Sequence, residues 1–105
     1  MNDRHKESEM QENRTPIILC GGENGRCVVF GWIEGEPVPG EPVTMYDARM
    51  VIYWPEACEG LFGLAANGPK TGLRLSPVVG STTQTVWKQD LAVSEAAANG
   101  LSQWK

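Results

Sequence analysis

The chain has 105 residues, of which 41% are apolar, with 12 glycines, 7 prolines and a formal net charge of −4; this fits one turn-rich, strand-rich domain and disfavours a helical bundle. The negative balance argues against sequence-independent phosphate binding, which needs clustered Lys and Arg, and no apolar run approaches the roughly 18 residues of a membrane span. A domain of this size buries only about two-thirds of its unfolded surface, which makes self-association a natural way to bury more.

Residues 1–14 read as a flexible leader, because between Asn2 and Arg14 the one apolar side chain is Met10 and ordering such a stretch gains little burial. Its polar start lacks the apolar segment of a signal peptide, so a cytoplasmic protein is expected. His5, the single histidine, falls in the leader, which takes imidazole chemistry off the folded body. Residues 15–105 then form one globular domain.

Two β-prone runs, Pro16 to Cys20 and Cys27 to Phe30, flank Asn24-Gly25, a pair that tolerates positive φ and predicts a tight hairpin with Gly22 facing Cys27. The second strand continues through Gly31-Trp32-Ile33. It ends at a loop from Glu34 to Pro42 whose three prolines forbid regular ladder bonding and whose carboxylates are Glu34, Glu36 and Glu41. A stiff acidic loop suits either an exposed contact surface or a solvated turn.

The central strand follows, from Ala48 to Trp54. Alternation puts Ala48, Met50, Ile52 and Trp54 on one wholly apolar face, read as the core, and Arg49, Val51 and Tyr53 on a mixed face that is partly wet or covered by another subunit. Pro55 ends the ladder, and Leu61, Leu64 and Ala65 share one face of a short helix that stops at Asn67-Gly68-Pro69. A strand carrying Pro77 is expected over Gly72 to Val79, a turn at Gly80-Ser81-Thr82, and another strand over Thr83 to Lys88. Ser94 caps a last short helix over Glu95 to Ala98, closed by Asn99-Gly100. The fold class is α+β: a small, mostly antiparallel sheet or partly open barrel with one short central helix and a short C-terminal helix.

Chemistry is thinly represented. The six residues between Cys20 and Cys27 match no common zinc spacing. A bridge between those two is geometrically marginal, and free thiols are the expected state in a reducing compartment. Gly21 to Gly25 lacks the Lys-Ser or Lys-Thr and the following helix of a phosphate loop. No catalytic set assembles without His5, so no catalysis, cofactor or metal is expected.

What remains are planar side chains, Trp32, Tyr46, Tyr53, Trp54 and Trp87, with Arg49 and Arg74 inside strands. They are either core rings with paired arginines or anchors for a protein or nucleobase. Charge is uneven: from Glu23 to Glu59 there are seven carboxylates against two arginines, which favours a basic partner.

The run Tyr46 to Trp54 with its Asp47-Ala48-Arg49 start, the Leu61-x-x-Leu64-Ala65-x-x-Gly68 helix, Phe30-Gly31-Trp32, and a C-terminal strand before Trp104 together resemble a family of small, uncharacterised tailed-phage and prophage accessory proteins. The likeness spans Val28 to Trp104; Pro55 and the leader depart from it. It implies a phage setting, acting in the host cytoplasm, and no activity. Two functions follow as expectations. One is a counter-defence inhibitor that binds a host immune protein stoichiometrically through Glu34, Glu36, Glu41 and the exposed part of the aromatic strand. The other is an oligomeric sponge in which Arg49, Tyr53, Trp54 and Arg74 clamp a nucleotide signal. A minor structural or regulatory role is the third. Direct nucleic-acid or membrane binding is not expected.

Overall fold

The computed structural model describes residues 13–21 and 27–105; most of the leader, His5 and the Asn24-Gly25 turn lie outside them. Three long β-prone segments form an antiparallel meander of β1 (Arg14–Gly21), β2 (Cys27–Glu34) and β3 (Val43–Tyr53). A 3-10 turn (Glu56–Cys58) and α1 (Gly60–Asn67) follow, then β4 (Arg74–Leu75), β5 (Val79–Gln84), β6 (Trp87–Ala92) and α2 (Glu95–Gln103). The six strands make one sheet in the order β4-β3-β2-β1-β6. β5 pairs with the first half of β3, Val43 to Ala48, and β4 with Val51 and Tyr53.

The short link between β5 and β6 forces the sheet to curl. Gln84 ends β5 opposite Val43 on one side of the meander, and Trp87 begins β6 opposite Gly21 on the other. A three-residue step spans roughly 10 Å, so these two corners must come together. They do: the Trp87 indole Nε1 donates to the Glu41 carbonyl at 3.0 Å, and a Cβ on Gly21 would collide with the Val86 carbonyl oxygen.

Curling buries both faces of β1 and β2, and their sequences are near-continuous apolar runs for that reason. Ile17, Leu19, Val29, Ile33, Val43 and Met45 fill the concave side. Ile18, Val28, Phe30 and Val51 lie on the convex side, under Leu64 and Ala65 of α1 and Ala97, Ala98 and Leu101 of α2. Ser94 caps α2 by accepting from the Ala97 N–H at 3.1 Å. It also ties the helices together, its hydroxyl donating to the Ala66 carbonyl at 2.9 Å.

The small α+β fold with its two helices agrees with the sequence reading, but several details do not. In the second half of β3 the expected core residue Ala48 is buried, but beyond it the buried residues are Arg49 and Val51, while Met50 and Ile52 are 47% and 51% exposed. The concave core reaches only as far along β3 as Ala48, where β5 begins opposite it at Val79. Beyond that point the apolar face is uncovered, and the helices bury the mixed face instead. The predicted turn at Gly80-Ser81-Thr82 is the middle of β5, and the strand carrying Pro77 is reduced to two residues. The last helix runs through Asn99-Gly100 to Gln103. Gly100 marks no helix end: a Cβ there would stand 2.8 Å from Pro69 Cδ, so glycine is what lets the Pro69 ring lie against α2.

In the hairpin, Gly21 rather than Gly22 pairs with Cys27. This one-residue slip puts Cys20 in the convex core and Cys27 beside the concave one, on opposite faces of the sheet, and all three thiols are free. Burial pushes the Cys20 thiol pKa up, which keeps it protonated and unreactive.

Candidate binding surface

The acidic loop between β2 and β3 is a built structure. Val38-Pro39-Gly40-Glu41 closes a turn with the Glu41 N–H donating to the Val38 carbonyl at 3.0 Å. Gly40 has φ +88, the value a type II turn demands at its third position, with proline pre-set before it. Trp87 holds the Glu41 carbonyl from the far side of the sheet. Proline stiffness and this indole tether give a loop that keeps its shape without a regular ladder.

Its concave side is a recess of about 270 Å³ lined by Glu34, Glu36, Val38, Glu41, Thr44 and Tyr46, among others. Arg14 does not line the recess but touches two residues that do, Tyr46 and Glu34. Its guanidinium lies 3.8 Å above the Tyr46 ring centroid, and its Nε is 3.7 Å from the Glu34 carboxylate, an ion pair longer than a hydrogen bond. Among the described residues no cation is paired with Glu36 or Glu41. The recess is therefore a partly compensated anionic site, smaller than the roughly 300–1,000 Å³ of small-molecule pockets and suited to a single side chain. Arg14, Tyr46 and Trp87 were not evident as parts of this site from the sequence, because their place depends on strand register. Arg14 pairs with Glu34 across β1 and β2, and Trp32 with Tyr46 across β2 and β3.

The other residues singled out from the sequence are dispersed. Arg49 is 7% exposed and its guanidinium is held by main chain: Nε donates to the Ser76 carbonyl at 2.8 Å, and Nη1 to the carbonyls of Leu101 at 2.8 Å and Trp104 at 2.6 Å. Its partners are therefore three neutral carbonyls rather than a carboxylate, and its burial leaves little surface for a ligand. Trp54 is half-buried against the convex core. Tyr53 is exposed and sits opposite exposed Arg74 across β3 and β4. From Val43 at the recess to Tyr53 is ten strand residues, roughly 30 Å at the rise of a β-strand. The acidic loop and the Tyr53–Arg74 pair cannot form one site.

A second, shallower groove is apolar. Phe62, 68% exposed, stands over Ala65, Ala66, Leu91 and Val93 between α1 and β6. Among the described residues no three His, Cys, Asp or Glu side chains come within reach of one metal ion, and no helix is long and apolar enough to cross a membrane. A comparison of the chain with protein-family models, with curated proteins and with solved structures found no match in any of the three.

Proposed function

We propose that this chain is a non-catalytic binding module that docks its acidic loop on a basic protein surface, with one Lys or Arg of the partner entering the recess between Glu36 and Glu41. The observation that carries this reading is the pairing of a preformed, stiff recess with carboxylates, Glu36 and Glu41, that have no paired cation among the described residues. A rigid loop loses little entropy on docking, so more of the contact energy survives as affinity. Exposed ion pairs contribute only about 0.2–1 kcal/mol each; the half-exposed Val38 at the rim supplies apolar contact beside them. On the resemblance to phage accessory proteins, the partner is a host defence protein and binding inhibits it in the host cytoplasm.

The test is a titration of labelled protein with a short arginine-bearing peptide, followed by amide NMR. Shifts should concentrate at Glu34 to Thr44 and weaken as salt rises. The double variant Glu36→Lys, Glu41→Lys should lose at least about tenfold in affinity while keeping its fold. Shifts spread evenly over the surface, or unchanged by the double variant, would remove the proposal.

The nucleotide sponge retains one supporting observation, the adjacent exposed ring and guanidinium of Tyr53 and Arg74. A thermal-shift panel of cyclic nucleotides and ADP-ribose derivatives separates the two readings. The docking proposal expects no stabilisation by any of them, and a shift abolished by Arg74→Ala would favour the sponge.

A further inference from the structure

Among the described residues the sheet has three outer strands, and two of them are guarded against further pairing. β6 carries Lys88 and Asp90, and β4 is two residues long and followed by Ser76-Pro77. Charge, brevity and proline are the devices by which natural sheets blunt their edges. β5 has none of them. Val79-Gly80-Ser81-Thr82-Thr83-Gln84 contains no charge and no proline, and the uncharged stretch runs from Leu75 to Trp87. Among the described residues β5 pairs with β3 alone, so its outer row of N–H and C=O groups is open.

We infer that β5 is a pairing edge, and that its occupant is β5 of a second copy of this chain, joined antiparallel about a two-fold axis. Three observations favour a second copy over a foreign peptide. Two chains of net charge −4 repel at most surfaces, and the thirteen residues from Leu75 to Trp87 are a stretch where they do not. The strand is its own complement: with the axis on Ser81 or Thr82, small hydroxyl residues face one another across the seam, a favourable cross-strand pairing. The ends of the edge carry Val78, Val79 and Val86, each about half exposed, and the two-fold doubles this apolar area. Pairing also closes both edges at once, so the assembly stops at two. The recess at Glu36 and Glu41 is a separate feature, and the two proposals stand or fall independently.

Light scattering coupled to size-exclusion chromatography, run over a concentration series, tests the dimer. The full chain should approach twice its 11.5 kDa mass as concentration rises. Ser81→Lys, on an exposed side chain, brings two lysines together at the axis and should raise the dissociation constant by at least about tenfold. Gln89→Lys makes the same charge change on β6 and should leave the dimer intact. Hydrogen exchange should show the amides of 79–84 slowing with concentration, and circular dichroism should show Ser81→Lys folded. A chain that stays monomeric at every soluble concentration, or a dimer that Ser81→Lys does not weaken, overturns the inference. So does binding of a foreign strand to β5 of a monomer.

Discussion

Replacing Arg49 with methionine should cost about 2–4 kcal/mol of folding stability, a large share of the roughly 5–15 kcal/mol of a domain. The guanidinium joins the convex face of β3 to the Ser76 carbonyl after β4, a residue that Met50 also bonds through its main chain, and to the carbonyls of Leu101 and Trp104 at the end of α2. Those last two oxygens are at the negative end of the helix dipole, where a cation is favoured. Hydrogen bonds to a charged donor contribute about 1.5–3 kcal/mol each, set against the desolvation of burying the charge, and this opposition limits the net effect. Methionine fills much of the volume and removes the charge, so the loss measures unsatisfied carbonyls rather than a cavity. Urea denaturation checks the magnitude, and hydrogen exchange should show α2 protection falling before that of β1. Arg49→Lys should recover only part, because an ammonium cannot span three acceptors in one plane as the fork does. A methionine variant with unchanged stability would mean that the carbonyls find water readily and that Arg49 is not a structural clasp.

How far the fold could be read in the sequence depended on how local each cause was. The Ser94 cap, the stop at Gly68 with its φ of +91 and the loop from Glu34 to Pro42 are set by a few neighbouring residues, and they stand where the sequence puts them. The buried face of β3 was misread because alternation names two faces without saying which is covered. That depends on where β5 starts and on two helices distant in sequence. Arg49 looked like a surface anchor for the same reason: its three acceptors lie 27 to 55 residues away. Gly80 looked like a turn residue but lies in a strand, and the real bend, Thr85-Val86, carries no turn signature because the approach of the two sheet corners imposes it. Of the candidate site, the three glutamates were legible as a charged, proline-stiffened loop. Arg14, Tyr46 and Trp87 were not, since each reaches the loop across strand register or the curl of the sheet.

Gly63→Ala should destabilise the protein although helix propensity favours it. In an exposed helix interior alanine is better than glycine by about 1 kcal/mol, and on sequence grounds Gly63 is a weakness in α1. In the fold, α1 starts immediately after the 3-10 turn, with Glu59 in the left-handed region at φ +63 and the Gly63 N–H donating to the Glu59 carbonyl at 3.3 Å. This sharp junction carries the Cys58 carbonyl back over the first turn of the helix. An alanine Cβ at position 63 would overlap that oxygen and stand 2.9 Å from Glu59 Cβ. The obstacle is backbone, and Cys58 is itself buried in the convex core, so neither side can yield cheaply. Overpacking of this kind costs about 1–3 kcal/mol, and opening the junction would shift Leu64 and Ala65 out of register with Val51 and Phe30. The expected net loss is therefore about 2 kcal/mol, read as a lower denaturation midpoint. Ala66→Gly, on the exposed side of the same helix, should cost only the propensity difference. If Gly63→Ala instead raised the midpoint, the tight 3-10 to α1 junction would not exist in solution, and the covering of the convex core would need a different arrangement of these two turns.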